Sequence, residues 1–141
     1  MRDLYHDLLP VKSIDPIVGN NTTEGTGVGA DLAGFDGALM LAHLGVSGDT
    51  LSGSVFVTVG FQESDVLGSG YADIAAADLL GGVNNVVVDA AAEDEVIIAR
   101  SYIGAKQYVR ILITFTGTHT NGTPIAAVVI KGLPAHGPAQ E

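Results

Sequence analysis

Residues 105–120 read AKQYVRILITFTGTHT, and apolar and polar side chains alternate along most of this stretch. The apolar side of the alternation holds Val109, Ile111, Ile113 and Phe115. The opposite side holds Tyr108, Arg110, Thr114 and Thr116, with the apolar Leu112 among them. A period of two residues is typical of a β-strand with one buried face. We therefore predict a strand at 106–117 whose apolar side chains face a core.

Several other segments have the same short apolar character and are separated by turn-forming Gly, Asn and Asp residues. We predict strands at 27–33, 36–45, 52–62, 84–89, 94–101 and 124–132. Within 52–62, the core side of the alternation is predicted to hold Val55, Val57, Val59 and Phe61. Residues 71–80 are expected to connect two sheets, with at most a short helix. Many short strands with hardly any helix predict an all-β protein, an antiparallel β-sandwich of jelly-roll type.

The predicted sandwich occupies residues 25–133 of a single domain. Residues 1–24 contain Pro10 and Pro16 and end in the polar stretch GNNTTEG, which predicts an extended N-terminal arm or irregular lead-in. Residues 134–141 are predicted to form a short, flexible C-terminal tail. The glycine-rich stretch GTGVGAD at 25–31 lacks the ending of a phosphate-binding loop, so a flexible turn is favoured there.

Composition and charge exclude several classes of partner. The chain has 6 Lys and Arg against 16 Asp and Glu, a formal net charge of −10, which disfavours binding to nucleic acid. The apolar run at 125–130 is far shorter than the ~20 residues needed to span a bilayer, so no membrane partner is predicted. The first residues lack the profile of a signal peptide, and we expect function without Sec-type export.

No pattern in the sequence predicts catalysis or a metal site. The four histidines, among them His119 in a predicted loop and His136 in the predicted tail, lack zinc-site spacing. The acidic residues at 89–95 lack the order of a calcium-binding loop, and no serine elbow is present. We predict no enzyme activity, catalytic residue, cofactor or metal. The basic residues Arg100, Lys106, Arg110 and Lys131 either pair with carboxylates of their own subunit or make contacts across subunits.

Four phrases of the sequence together resemble small virion proteins of tailed bacteriophages, which lie among the head genes and include head decoration proteins. These phrases are MRDLYHDLLPVKSIDP at 1–16, FQESD at 61–65, ARSYIGAKQYVRILITFTGT at 99–118 and AAVVIKGLPAHGPA at 126–139. The resemblance covers most of the chain in the same order. Gln107 stands where arginine is common in such proteins, and the acidic stretch 89–95 also departs from their pattern.

The resemblance implies a capsid decoration (cement) protein, made in the host cytoplasm, that binds the major capsid protein on the outer surface of the virion and stabilises the head. It also implies a homo-oligomer, a trimer before other states, although fivefold placement and monomeric docking stay open. The residues expected to contact the capsid or a neighbouring subunit are Leu4, Tyr5, Leu8, Leu9, Tyr108, Arg110, Lys131 and His136.

Other functions stay open at this point. The main alternative is a module of a head fibre, vertex spike or tail that binds host-surface glycans. The chain has no Trp, 4 Tyr and 4 Phe, several of them on predicted core faces, which leaves few aromatic platforms for sugar. A small β-sandwich hydrolase and a head–tail connector component are the remaining alternatives.

Overall fold

The computed structural model describes residues 3–137 and 139, which form a sandwich of two antiparallel five-stranded sheets with almost no helix. Sheet A contains, in spatial order, β1 (Leu8–Gly19), β10 (Thr123–Pro134), β3 (Phe35–Leu44), β8 (Val96–Tyr102) and β6 (Leu79–Leu80). Sheet B contains β2 (Ala30–Asp31), β9 (Tyr108–Thr116), β4 (Phe56–Ser64) and β5 (Ala72–Asp73), and β7 (Val86–Val88) also pairs with β4. The helical elements are α1 (Leu4–Asp7) and a 3-10 turn (Ala76–Asp78). In the described part of the chain, no helix is long and apolar enough to cross a membrane.

The strand pairs are nested along the chain, and this nesting makes the fold a jelly roll. Strand β1 pairs with β10, β2 with β9, β3 with β8, and β4 with β7, all antiparallel. One long hairpin rolled up on itself gives this order, with successive pairs placed alternately in the two sheets. The all-β sandwich predicted from the sequence is therefore confirmed.

The core lies between the sheets and is formed by the predicted alternations. In β9 and β4, the side chains that point inward and are buried are Val57, Val59, Phe61, Val109, Ile111, Ile113 and Phe115. Strands of sheet A meet them with Met40, Ala42, Leu44 and Val129, also buried. Val55, predicted as core, precedes β4 and is only half-buried. Alternation thus identified the buried face of both long strands of sheet B correctly.

The expected N-terminal arm is instead, over residues 8–19, a strand of the sandwich. Strand β1 pairs with β10 from Leu8 opposite Gly132 to Gly19 opposite Thr123, with register shifts between Lys12 and Ile14 and again before Ile17. Proline is tolerated in it because β1 is the edge strand, where one row of N–H groups has no ladder partner. The interpretation of residues 8–19 as an irregular lead-in is wrong.

The predicted C-terminal tail also begins inside the sandwich. Pro134 ends β10, the Ala135 N–H donates to the Gly34 carbonyl at 2.9 Å, and the Ala139 N–H donates to the His6 carbonyl at 2.6 Å. Residues 138, 140 and 141 of the predicted tail, and residues 1 and 2 of the predicted arm, lie outside the described residues.

The glycine-rich stretch predicted as a flexible turn is packed against the middle of β9. The Gly27 N–H donates to the Ile111 carbonyl at 2.9 Å, and the Gly25 carbonyl accepts from the Ile113 N–H at 2.7 Å. On its other side, the Val28 N–H donates to the Ser13 carbonyl in β1 at 2.8 Å. The stretch therefore joins the edges of the two sheets, and the expectation of a flexible turn is wrong.

One carboxylate joins two loops at the end of the sandwich where β3 ends and β10 begins. Asp49 accepts the backbone N–H groups of Asn121 at 3.0 Å, Gly122 at 2.8 Å and Thr120 at 3.1 Å. These bonds, that of Asn121 foremost, hold the pKa of Asp49 below its ordinary value of 3.8. His119 lies in the predicted loop beside it and is buried, with Nε2 3.0 Å from the Thr116 carbonyl.

We predict that Asp49→Asn destabilises the protein near neutral pH and that the difference from wild type shrinks as pH falls. Because the folded-state pKa of Asp49 is depressed, its contribution is present above about pH 4 and is lost as acid protonates the folded carboxyl. Urea unfolding from about pH 7 to about pH 2 measures both proteins. Asp3 and Asp31, whose pKa values are also lowered, remain in both and cancel. A difference that stays constant with pH would contradict the prediction.

Candidate docking surfaces

The outer face of sheet A is apolar across its three central strands. On β10, β3 and β8 the outward side chains form cross-strand rows, which we call the outer face of sheet A. Its rows are Ile130, Leu39 and Ser101; then Val128, Leu41 and Ala99; then Ala126, His43 and Ile97. Seven of these nine residues are apolar, and none is an acid, a lysine or an arginine. An antiparallel sheet whose outer face meets water normally alternates apolar-in with polar-out.

The sequence carried a signal for this face. Residues 125–130 read IAAVVI and residues 38–42 read ALMLA, without the polar alternate positions that β9 has. Near-continuous apolar strands are typical of sheets covered on both faces. The sequence predicts a strand at 124–132, and the apolar residues at its alternate positions indicate that both of its faces are covered.

The outer face of sheet B is polar by contrast. Its rows include Thr114 opposite Thr58, and Arg110 opposite Gln62, which is opposite Asp73. Arg110 Nε donates to Gln62 Oε1 at 2.9 Å, and its guanidinium lies 4.1 Å from the centre of the Tyr71 ring. Gln62 Nε2 in turn donates to Asp73 Oδ1 at 3.2 Å. The two outer faces thus differ sharply within one small domain.

A groove of about 510 Å³ runs along the outer face of sheet A beside β1. Leu41, Ile97 and Val128 line its floor, while Pro10 and Pro16 of β1 belong to its wall. Lys12 and Asp15, also in the lining, pair with each other at 3.1 Å. Because these two charges pair with each other, the groove presents a mainly apolar surface, and the ion pair at its edge has no net charge.

A second surface, exposed in part and half-buried at Leu8, Leu9 and Lys131, lies where the start of β1 meets the end of β10. We call it the corner surface, and it consists of Leu4, Tyr5, Leu8, Leu9, Lys131, Leu133 and His136. Leu8 is opposite Gly132 and Leu9 is opposite Lys131 in the β1–β10 ladder. Leu4 is 67% exposed and Leu133 is 70% exposed. Two leucines held in water at one place form a site suited to contact with another protein.

The register of β10 against β3 is continuous near the end of β10, with Gly132 opposite Gly37 and Pro134 opposite Phe35. Leu133 lies between them in an unusual backbone conformation. Its φ angle is 56°, in the left-handed region that a residue as bulky as leucine rarely adopts. Strained backbone of this kind clusters at functional sites, which makes Leu133 a candidate contact residue.

Six of the eight residues predicted as contacts lie near the end of the β1–β10 pair. Leu4 and Tyr5 are in α1, Leu8 and Leu9 begin β1 on alternate sides of the strand, Lys131 is opposite Leu9, and His136 follows the end of β10 by two residues. Lys131 is also held within the subunit: Nζ donates to the Asp31 carbonyl at 3.0 Å and lies 4.4 Å from the centre of the Phe35 ring. Its contact role stays a prediction, as do those of the other five residues.

The remaining two predicted contacts, Tyr108 and Arg110, lie on sheet B. Tyr108 is opposite Asp31 in β2, and Gln107 Nε2 donates to both the Asp31 carboxylate and the Tyr108 hydroxyl at 3.1 Å. The Ala33 N–H, with a smaller contribution from Gln107, holds the pKa of Asp31 below 3.8. Asp31 therefore links Tyr108 to Lys131 at one end of the molecule, while Arg110 faces outward from sheet B, away from the corner surface.

The four basic residues of the C-terminal half do not form one cluster. Within residues 3–137 and 139, Lys106 alone of these four forms an ion pair, with Asp65. Arg100 Nε donates to the Val83 carbonyl and Nη1 to the Ala99 carbonyl, each at 2.8 Å. Their described partners are carbonyls, an amide oxygen, aromatic rings and one carboxylate of the same subunit.

Comparisons of the chain with protein-family models, curated proteins and solved structures found no match. Over the residues described, no three His, Asp or Glu side chains gather as ligands of a metal ion would.

Proposed function

We propose that this protein is a non-enzymatic capsid decoration (cement) protein of a tailed bacteriophage, which binds the outer surface of the major capsid protein lattice through its corner surface and stabilises the head. One observation carries the proposal. Two of the phrases that resemble phage virion proteins, at 1–16 and 126–139, are far apart in sequence but pair as β1 and β10. Where they meet, they expose Leu4 and Leu133.

Physical chemistry supports a mechanical role for this arrangement. Burying a leucine side chain completely stabilises a contact by about 1.5–3 kcal/mol, and Leu4 and Leu133 have about two thirds of that area still to lose. The corner surface is attached to a β-sandwich, so docking orders little additional chain. A contact that exists only on the assembled lattice shifts the equilibrium toward that lattice by mass action.

The charge of the chain supports a place on the outside of the head. At −10, the protein is repelled by the phosphates of packaged DNA, and a site facing the DNA would be unfavourable. An acidic protein can instead approach basic residues of a partner on the outer surface. The proposed partner is the major capsid protein, and the proposed location is the outer capsid surface.

The test is co-sedimentation of the purified protein with phage heads that lack it. We predict that Leu133→Asp and Leu4→Asp each weaken binding at least about 10-fold, the equivalent of about 1.4 kcal/mol, because a carboxylate cannot be buried in an apolar contact. Aspartate tolerates the left-handed backbone of residue 133 better than leucine does, so folding is preserved.

The matched control is Val46→Asp. Val46 is 59% exposed and follows β3, at the end of the sandwich opposite the corner surface, and its replacement should leave binding unchanged. Equal binding by all three variants and wild type would remove the corner surface from the proposal. Failure of the wild-type protein to bind heads would overturn the decoration role. If the number of molecules bound per head matches only the few sites at the vertices, the head-fibre or vertex-spike alternative would be favoured instead.

A further inference from the structure

The outer face of sheet A adjoins the corner surface, since Leu8 and Leu133 line one recess together with Leu39 and Ile130. We infer that this face binds a second copy of the chain, so that the protein is a homo-oligomer in solution before it meets any other partner. The inference names the face through which copies associate and does not depend on a capsid role.

Charge distribution favours a second copy as the occupant. The chain carries 16 acidic residues, yet none lies among the nine residues of the outer face of sheet A. Two copies that meet elsewhere bring carboxylates toward carboxylates, which is unfavourable. Two copies that meet through this face oppose apolar surface to apolar surface, and the nearest charges on β1, Lys12 and Asp15, already pair with each other.

The degree of apolarity favours a permanent partner. Interfaces that form and dissociate are about as apolar as the rest of a protein surface, whereas obligate interfaces resemble a domain core cut in half. A single copy would leave these apolar residues in contact with water, and Ile97 alone is 62% exposed. The rows that contain Ile130 and Val128 would also face the solvent. Such a patch must be covered whenever the protein is present, and only another copy is always available.

The whole outer side of sheet A, of which these nine residues are the centre, is large enough for a stable oligomer. It continues onto Pro10 of β1, opposite Ile130, and onto Leu80 of β6, opposite Ser101. Its five strands about 4.8 Å apart give a width of about 24 Å, and nine residues of β10 rising about 3.4 Å each give a length of about 30 Å. The product is about 700 Å², close to the ~800 Å² that each partner buries in a standard interface. The groove beside β1, about 510 Å³ in volume, provides a recess for side chains of the neighbouring copy.

The experiment is sedimentation equilibrium of the full-length protein at micromolar concentration, with Leu41→Asp as the test variant. Leu41 is at the centre of the face, opposite both Val128 and Ala99. We expect the wild type to be an oligomer and Leu41→Asp to associate at least about 100-fold more weakly. A mass of two chains indicates that the same patch packs on itself, and a mass of three matches the trimer implied by the resemblance; both support the inference.

Thr114→Asp is the matched control, because Thr114 is central on the outer face of sheet B, opposite Thr58. It should associate as the wild type does. If the wild type is a monomer at all concentrations, or if Leu41→Asp associates like Thr114→Asp, the inference is wrong. No capsid is used, so a failure of this inference can be distinguished from a failure of the decoration role.

A labelling measurement covers the possibility that Leu41→Asp fails to fold. The chain has no cysteine, so Ser101→Cys on the outer face of sheet A and Thr114→Cys on that of sheet B each introduce a single thiol. We expect a bulky polar thiol reagent to label Cys at position 101 at least about 10-fold more slowly than at position 114. Dilution to dissociate the oligomer should remove the difference, and equal rates before dilution would overturn the inference.

Discussion

Gly25→Ala lowers the free energy of unfolding by about 3 kcal/mol or more, whereas Gly53→Ala changes it by less than about 1 kcal/mol. A Cβ atom on Gly25 would lie 1.8 Å from the Ile113 carbonyl oxygen and 2.7 Å from its carbonyl carbon. The obstacle is backbone in the middle of β9, where Ile113 is fully buried, so no side-chain rotation relieves it. Moving Gly25 away would break its 2.7 Å hydrogen bond with the Ile113 N–H.

Gly53 is a suitable control because a Cβ atom there meets no atom within 4 Å. Both variants lose the same backbone freedom in the unfolded chain, so the difference between them reports the close approach at Gly25 alone. Urea unfolding followed by circular dichroism measures both. Equal stabilities would mean that residues 25–29 are not packed on β9, and the account of how the two sheets are joined would be wrong.

Asn84→Leu lowers the free energy of unfolding by about 2–4 kcal/mol, because one side-chain amide replaces a missing piece of strand beside β4. Strand β7 pairs with residues 57–59 of β4 and β5 with residues 62 and 63, which leaves Gly60 and Phe61 between them. Asn84 Oδ1 accepts the Phe61 N–H at 2.8 Å, while Nδ2 donates to the carbonyls of Phe61 at 2.8 Å and Ile74 at 3.1 Å.

Leucine has the same number and branching of side-chain heavy atoms as asparagine but no polar atoms, so the Phe61 N–H and the Ile74 carbonyl lose these partners in a partly buried place. Asn20→Leu in an exposed loop is the control and should change stability by less than about 0.5 kcal/mol. Thermal and urea unfolding of both variants measure the difference. A loss at Asn84 no greater than that at Asn20 would contradict the role given to the amide.

The fold could be predicted where a strand shows its alternation within a few residues. Residues 55–61 and 109–115 have one buried face, and period two identified it. Strand β1 was missed because Pro10 and Pro16 discourage a strand assignment and its register shifts interrupt the alternation. The prediction of a flexible turn at Gly25 and Gly27 follows from the conformational flexibility of glycine. In the structure, glycine is needed there because it has no side chain and can therefore lie directly against β9.

The candidate surfaces were less predictable, since both depend on pairing between distant segments. Leu8 and Leu9 meet Lys131 and Gly132 only because β1 pairs with β10, and the sequence interpretation had no β1. The outer face of sheet A arises from three strands that are not consecutive in the chain. Each strand alone is compatible with an ordinary core, and their shared second apolar face becomes visible only when they lie side by side.

The central claim, that the corner surface docks on the capsid, is tested most directly by a cryo-electron-microscopy reconstruction of phage particles that carry this protein. We predict jelly-roll density repeated across the outer surface of the head, with Leu4 and Leu133 against the major capsid protein and sheet A packed against a neighbouring copy. Density confined to the vertices or the tail, or a corner surface that faces solvent, would contradict the account.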